Sequence, residues 1–438
     1  MISDRSSIFL TIALCTLLSA CRDGGGSGSD NGGNDNGGND NTDTGGIDSR
    51  ITAGGDVAGF IINITDSASE GLNDPTSVPP VGGNPGTTIG EQRLIVVQEA
   101  ARVWAEALDI NTDVVLNIRF DELECDDQSG VIGAASPIDA NRGFAGAPSA
   151  NTWYVSALAN NLAGTDLSPG TADIDAFFNS RIGTTGCLGG TDFYYGLDGL
   201  SGRKIDLFHT VLHELAHGLG FVSLVEIDTG ALFQNRADAF TENLRNGNFT
   251  PYSALTDSQR LSSITSLTFW SGSAVSAGIE TLNFGAISTF AGEGVMMYTP
   301  GVVDEGSSLS HWDTSLQPDE LMEPNASGTN IHLLSALDIG AMMDMGWPLD
   351  EEADQDGDGL PNVWEVLNGL NPRDNNDAQE DLDGDTLTNE QEFSFGTAAN
   401  KRDTDGDTLS DADELNIYNT DPLKEDTNGD GVADDDEI

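Results

Sequence analysis

The run from Ile205 to Phe221 constrains this chain more than any other stretch. Ile205, Leu207, Phe208, Val211, Leu212, Leu215, Leu219 and Phe221 recur too densely for a surface element. A helix that is apolar all round must be wrapped by the rest of the fold. Yet this one carries His213, Glu214 and His217. Residues four apart share a helical face, so both imidazoles point the same way with a carboxylate beside them. Gly218 and Gly220 weaken and then end the helix.

His213-Glu214-Leu215-Ala216-His217 is the H-E-x-x-H pattern of zinc peptidases, in which two imidazoles grip one Zn2+ and the glutamate deprotonates a water. A buried helix whose histidines merely hydrogen-bond is the plainer alternative, disfavoured by the coincidence of spacing and helical context. Three protein ligands are usual for a catalytic zinc. A histidine six residues beyond His217 would supply the third in many such enzymes, but Ser223 stands there, and a neutral hydroxyl is a poor ligand. His209 lies eight residues before His217, roughly 12 Å along a helix at about 1.5 Å per residue, too far for both to share an ion. The remaining candidates are His311, His332, Glu226 and Asp228.

Ser310-His311-Trp312-Asp313, followed by Asp319-Glu320-Leu321-Met322-Glu323-Pro324, resembles the leishmanolysin branch of the metzincins. In that family a long insertion separates the H-E-x-x-H helix from the third histidine, and a methionine turn follows. The resemblance assigns His213, His217 and His311 to zinc, Glu214 to the general base and Met322 to the apolar floor under the metal. It implies an α+β fold, a mixed sheet plus the active-site helix. It covers 213–221 and 310–324, with support from Ser335–Gly340 and Met345–Trp347, and leaves 222–309 unaligned. That family's dense cysteine framework is missing here. His332 is expected beside the site rather than in it.

The ends of the chain point to export. Ile8 to Ala20 is an apolar run behind Arg5, placed like a signal-peptide core. It ends in Leu18-Ser19-Ala20-Cys21, which resembles a bacterial lipobox with Cys21 as the lipidated residue. Residues 22–50 are mostly Gly, Asn, Asp and Ser, the composition of a flexible tether. By analogy with enteric bacteria, Arg22 rather than Asp after the cysteine favours the outer membrane. Of four cysteines, Cys125 and Cys187 remain for the exported domain, and an even pair there suggests a disulfide. The net charge of −56, from 73 acidic and 17 basic residues, excludes nucleic acid as a ready partner.

Residues 51–349 make the expected catalytic domain. Gly59–Ile64, Asp113–Phe120 and Val131–Ile138 read as strands. Thr88 and Glu91 form a capping box ahead of Leu94, Val97, Ala101, Trp104 and Leu108, which recur at helical spacing. Asp173–Asn179 reads as another strand, and by analogy with metzincins as the edge that pairs with extended substrate. Val222–Leu309 reads as short helical and polar pieces walling the cleft. Leu333–Met345 reads as a helix behind the zinc site, with Met342, Met343 and Met345 as core.

From 350 to 438 an acidic repeat appears. Asp354, Asp356, Asp358, Asn362 and Glu365 occupy positions 1, 3, 5, 9 and 12 of a calcium loop. Asp381, Asp383, Asp385, Asn389 and Glu392 repeat it, as do Asp403, Asp405, Asp407, Asp411 and Glu414, and then Asp426, Asn428, Asp430, Asp434 and Glu437. Thr386 and Thr408 replace glycine at position 6 and put strict EF-hand geometry in doubt. The spacing resembles thrombospondin type 3 repeats, which implies Ca2+ and contacts with a cell surface or matrix. Two functions follow as expectations: a lipid-tethered zinc endopeptidase acting on protein or peptide, or a calcium-dependent adhesion protein with an inactive protease-like domain.

Overall fold

The computed structural model describes residues 56–282, 285–289, 292–325 and 330–438; the expected signal segment, Cys21 and the tether lie outside them. No helix among the described residues is long and apolar enough to cross a membrane. The architecture is α+β. Strands β1 (Phe60–Ile64), β2 (Val114–Asp121), β3 (Gly133–Pro137) and β4 (Ile174–Asn179) form one sheet in the order β1-β2-β4-β3. β1, β2 and β4 run parallel, and β3 is antiparallel to β4. Alternation sets the buried face: Val114, Leu116, Ile118 and Phe120 from β2 meet Ile174, Ala176 and Phe178 from β4 in the core.

This order corrects one expectation. β4 is flanked on both sides, so the strand read as an edge is internal, and β3 is the edge next to it. Strand order depends on crossovers between distant segments, which local patterning does not encode.

Two helices pack against this sheet. α1 (Ile89–Ala107) starts at the Thr88/Glu91 capping box, and α2 (Leu207–Leu219) carries the histidine pair. Every residue of α2 is buried. Its ends are closed by polar groups that a buried helix cannot leave unpaired. Asp206 caps the first turn by accepting from the His209 amide, and the Trp347 indole donates to the Leu219 carbonyl at 2.9 Å. The Trp104 indole reaches across from α1 to the Leu212 carbonyl at 3.0 Å. Gly220 turns the chain out of the helix at φ 126°. Gly218 lets α2 lie directly on β4, since a Cβ there would come within 2.5 Å of Ile174 Cγ2.

The stretch 222–309, read as helical and polar fragments, contains a second sheet. β5 (Leu244–Asn246), β6 (Thr268–Trp270), β7 (Ala286–Thr289) and β8 (Gly292–Met296) pair antiparallel in the order β7-β8-β6-β5. Strands of three residues carry too little alternation to be seen in sequence. α3 (Ala336–Met345) follows with its own capping box, Ser335 and Asp338. Cys125 and Cys187 are joined in a disulfide.

The change of composition at 349/350 is not a break in packing. α4 (Asn362–Asn368) of the first acidic repeat contributes Val366 to the main core, while Leu360, Leu370, Ala378 and Ala399 form a small cluster of their own.

Gly218→Ala should lower stability by about 1–3 kcal/mol through overpacking against Ile174. Urea unfolding measures it, and an unchanged midpoint would contradict the close seating of α2 on β4.

Candidate metal centres

His213 and His217 project from one face of α2, and His311 is carried back to them across a separation of almost a hundred residues. The three Nε2 atoms form a triangle with sides of 3.1, 3.2 and 3.2 Å. Nitrogens about 2.0–2.1 Å from a tetrahedral zinc stand about 3.3 Å apart, so the triangle has the right size. The tautomers sharpen this. His213 Nδ1 donates to the Leu321 carbonyl at 2.7 Å, His217 Nδ1 to the Phe221 carbonyl at 2.7 Å and His311 Nδ1 to the Ser307 carbonyl at 2.9 Å. A carbonyl only accepts, so each ring holds its proton on Nδ1 and presents a bare lone pair at Nε2. Three lone pairs aimed at one another repel unless a cation lies between them. The donor set therefore fits zinc.

Burial keeps the rings neutral. It pushes His217 down to about 4 and His213 and His311 well below the ordinary imidazole range, with neighbouring imidazoles adding to the effect on the latter two. Glu214 is fully buried beside them, and neither of its oxygens has a hydrogen-bond partner among the described residues. Burial holds its carboxyl well above the usual range, opposed only by the backbone N–H of Ala135 on β3, which approaches it outside ordinary hydrogen-bond geometry. A cation at the triad would favour the carboxylate form.

The other ligand candidates are engaged elsewhere. Ser223 faces the Thr241 hydroxyl at 3.0 Å. Glu226 accepts from the Thr229 hydroxyl, and Asp228 is exposed. His332 Nε2 sits 3.2 Å from Asp206 Oδ2 and its ring lies against Phe208, beside the helix start and outside the triad. Met322 is buried next to Leu321, whose carbonyl orients His213, and its own carbonyl accepts from the Trp312 amide at 2.8 Å.

The acidic loops share one backbone path. Asp354, Asp381, Asp403 and Asp426 each use one carboxylate oxygen for the position-4 amide and the other for the position-6 amide. Thr386 and Thr408 take φ of 92° and 84°, close to the 99° of Gly359 and the 92° of Gly431, so the two threonines follow the backbone path of the glycines they replace. The left-handed path costs about 1–3 kcal/mol for a β-branched residue and persists because the Asp brace enforces it.

Position 9 also has a structural partner in every loop. Asn362, Asn389, Asp411 and Asp434 accept the position-2 amides of Gln355, Leu382, Thr404 and Thr427, so they latch their loops closed. The oxygens left over lie elsewhere. Both of Glu365, both of Glu392, one of Glu414 and one each of Asp356, Asp358, Asp383, Asp405 and Asp407 are buried without a partner among the described residues. Buried carboxylates are otherwise paired, and these alternate oxygens fit a hard cation such as Ca2+. The fourth loop is more open, with Glu437 accepting from Asn428. Asp377, outside every 12-residue window, also enters the set: one oxygen each from Asp358, Glu365 and Asp377 lie within 4.8 Å of one another.

No family model, no characterised protein and no solved structure matches this chain.

Burial and neighbouring aspartates push Glu365 up to about 9, Glu392 to about 8, Glu414 to about 7, and Asp356, Asp383 and Asp405 to about 6. A carboxyl raised in the fold favours folding below its unfolded value, and that contribution is lost as pH climbs through the folded value. Without calcium, residues 354–437 should therefore open more readily at pH 8.5 than at pH 5.5. Hydrogen exchange corrected for intrinsic rates reads this directly. Equal or greater protection at the higher pH would contradict the raised carboxyls.

Proposed function

We propose that the chain is a zinc-dependent endopeptidase of the metzincin type, exported and tethered through a lipid on Cys21, with a C-terminal array that binds calcium. The observation that carries the reading is the convergence of three unprotonated Nε2 atoms next to an unpartnered, buried glutamate. His213, His217 and His311 would hold the metal. Zinc bound there supplies a Lewis acid that polarises a carbonyl and makes a water acidic near neutral pH.

The protein's own groups do the rest. Glu214 takes the proton that the water gives up and returns it to the amine nitrogen of the departing strand. The carbonyls of Leu321, Phe221 and Ser307 keep each Nδ1–H in place, so no imidazole turns away during turnover. β3, the edge strand of its sheet among the described residues, runs past Glu214, close enough that a Cβ on Gly133 would lie 3.4 Å from Glu214 Cγ. An extended peptide added along that edge would bring its carbonyls to the metal by main-chain pairing, which suits a broad range of protein substrates.

Glu214→Gln should retain one zinc per chain while casein or gelatin cleavage falls at least ~100-fold, the usual contribution of a general base. His311→Ala should lose zinc. Undiminished cleavage by purified Glu214→Gln sinks the assigned base. Calcium without zinc, and no cleavage by the wild type, moves the reading to a surface-binding protein.

A further inference from the structure

The turn that follows the first calcium loop faces two ways. At one end, Asp377 Oδ2 accepts the Asn371 amide at 2.9 Å, while its Oδ1 is buried, unpartnered and turned to Asp358 and Glu365. Glu365 has no exposed surface and, among the described residues, no partner for either oxygen, so these three side chains fit a cation. At the other end, Arg373 reaches into the catalytic domain. Its Nη2 lies 3.0 Å from Asp338 Oδ2 and 3.4 Å from Glu320 Oε2, both of which are buried. Asp338 caps α3, and Glu320 precedes Leu321, whose carbonyl fixes the His213 ring. Gln355, inside the same calcium loop, clasps Leu334 through both main-chain groups and also donates to the Pro372 carbonyl.

We propose that calcium held by the first loop together with Asp377 controls the zinc centre, by seating Arg373 between Glu320 and Asp338; this rests on the zinc and calcium readings above. Arg373 is one of only 17 basic residues in a chain with 73 acidic ones, and it is the cation that neutralises two carboxylates beneath the methionine turn. Without the ion, Asp358, Glu365 and Asp377 repel one another and the 371–377 turn loses its fixed position. Arg373 then leaves, and the segment that aims His213 relaxes. Arg373 is a positioning residue, since it touches no zinc ligand. Two sites joined through one element must be coupled reciprocally.

The test uses the full chain with Co2+ in place of zinc, because cobalt on three imidazoles absorbs strongly in the visible while cobalt on oxygen-only sites does so weakly. Saturating calcium should tighten cobalt binding about tenfold, and cobalt should tighten calcium binding by the same factor, within the common range for coupled sites. Arg373→Ala should abolish that difference, Arg373→Lys should restore part of it, and Asp377→Asn should raise the calcium needed about tenfold while leaving Arg373 in the chain. Cobalt affinity that ignores calcium in the wild type, or a full calcium effect in Arg373→Ala, overturns the proposal and leaves the zinc reading intact. No strong cobalt absorption at all removes both. If Arg373→Ala does not fold, the wild-type calcium comparison and Asp377→Asn decide the matter.

Discussion

Three imidazole lone pairs aimed at one point, with every alternative use of those nitrogens already taken, are what the rest of this structure is arranged around. The arrangement is costly in the bare protein. Each Nδ1 proton is fixed by a carbonyl, so no tautomer change relieves the repulsion at Nε2. Burial strips away the water that would otherwise soften it. The fold tolerates this because α2 is gripped on all sides, by α1 through Trp104, by Trp347 at its C-terminus and by β4 at Gly218. Rigidity here comes from packing and from backbone hydrogen bonds made by indoles. The histidine pair is accordingly a property of a buried helix, and His311 a property of long-range closure.

The same economy of donors governs the acidic repeats. In each loop the first aspartate braces two amides and the ninth residue closes the loop, and in the first three loops oxygens of positions 3, 5 and 12, Asp385 excepted, stay buried without a partner among the described residues. Peptide groups thus satisfy the oxygens that shape the loop, and the oxygens of cation-binding kind are the ones left over. The first loop differs from the others in being built into the preceding α+β domain through Val366, Gln355 and Arg373. It belongs by composition to the tail and by packing to the domain before it.

Much of this was legible in the sequence where the cause is local. The α1 start at Thr88 and Glu91, the α2 span and its glycine stop, and the repeat positions are short-range patterns with fixed geometry. His311 was reachable only through a family resemblance, since nothing near it specifies what folding brings alongside. The strand order was not legible, and β4 was misread as the edge because the crossovers that set β3 outside it involve distant segments. The second sheet was missed because β5 and β6 are three residues each. Asp377 fell outside the loop template. Arg373 did leave a signal, as a rare cation in an acidic tract, but its partners Glu320 and Asp338 lie far back in the chain.

Zinc K-edge X-ray absorption on the purified protein tests the central claim most directly. The account predicts one zinc per chain with three imidazole nitrogens at about 2.0–2.1 Å. That shell should lose nitrogens when His311 is replaced by alanine. A zinc shell made of carboxylate oxygens, or a protein that takes up no zinc while its calcium sites fill, would contradict it.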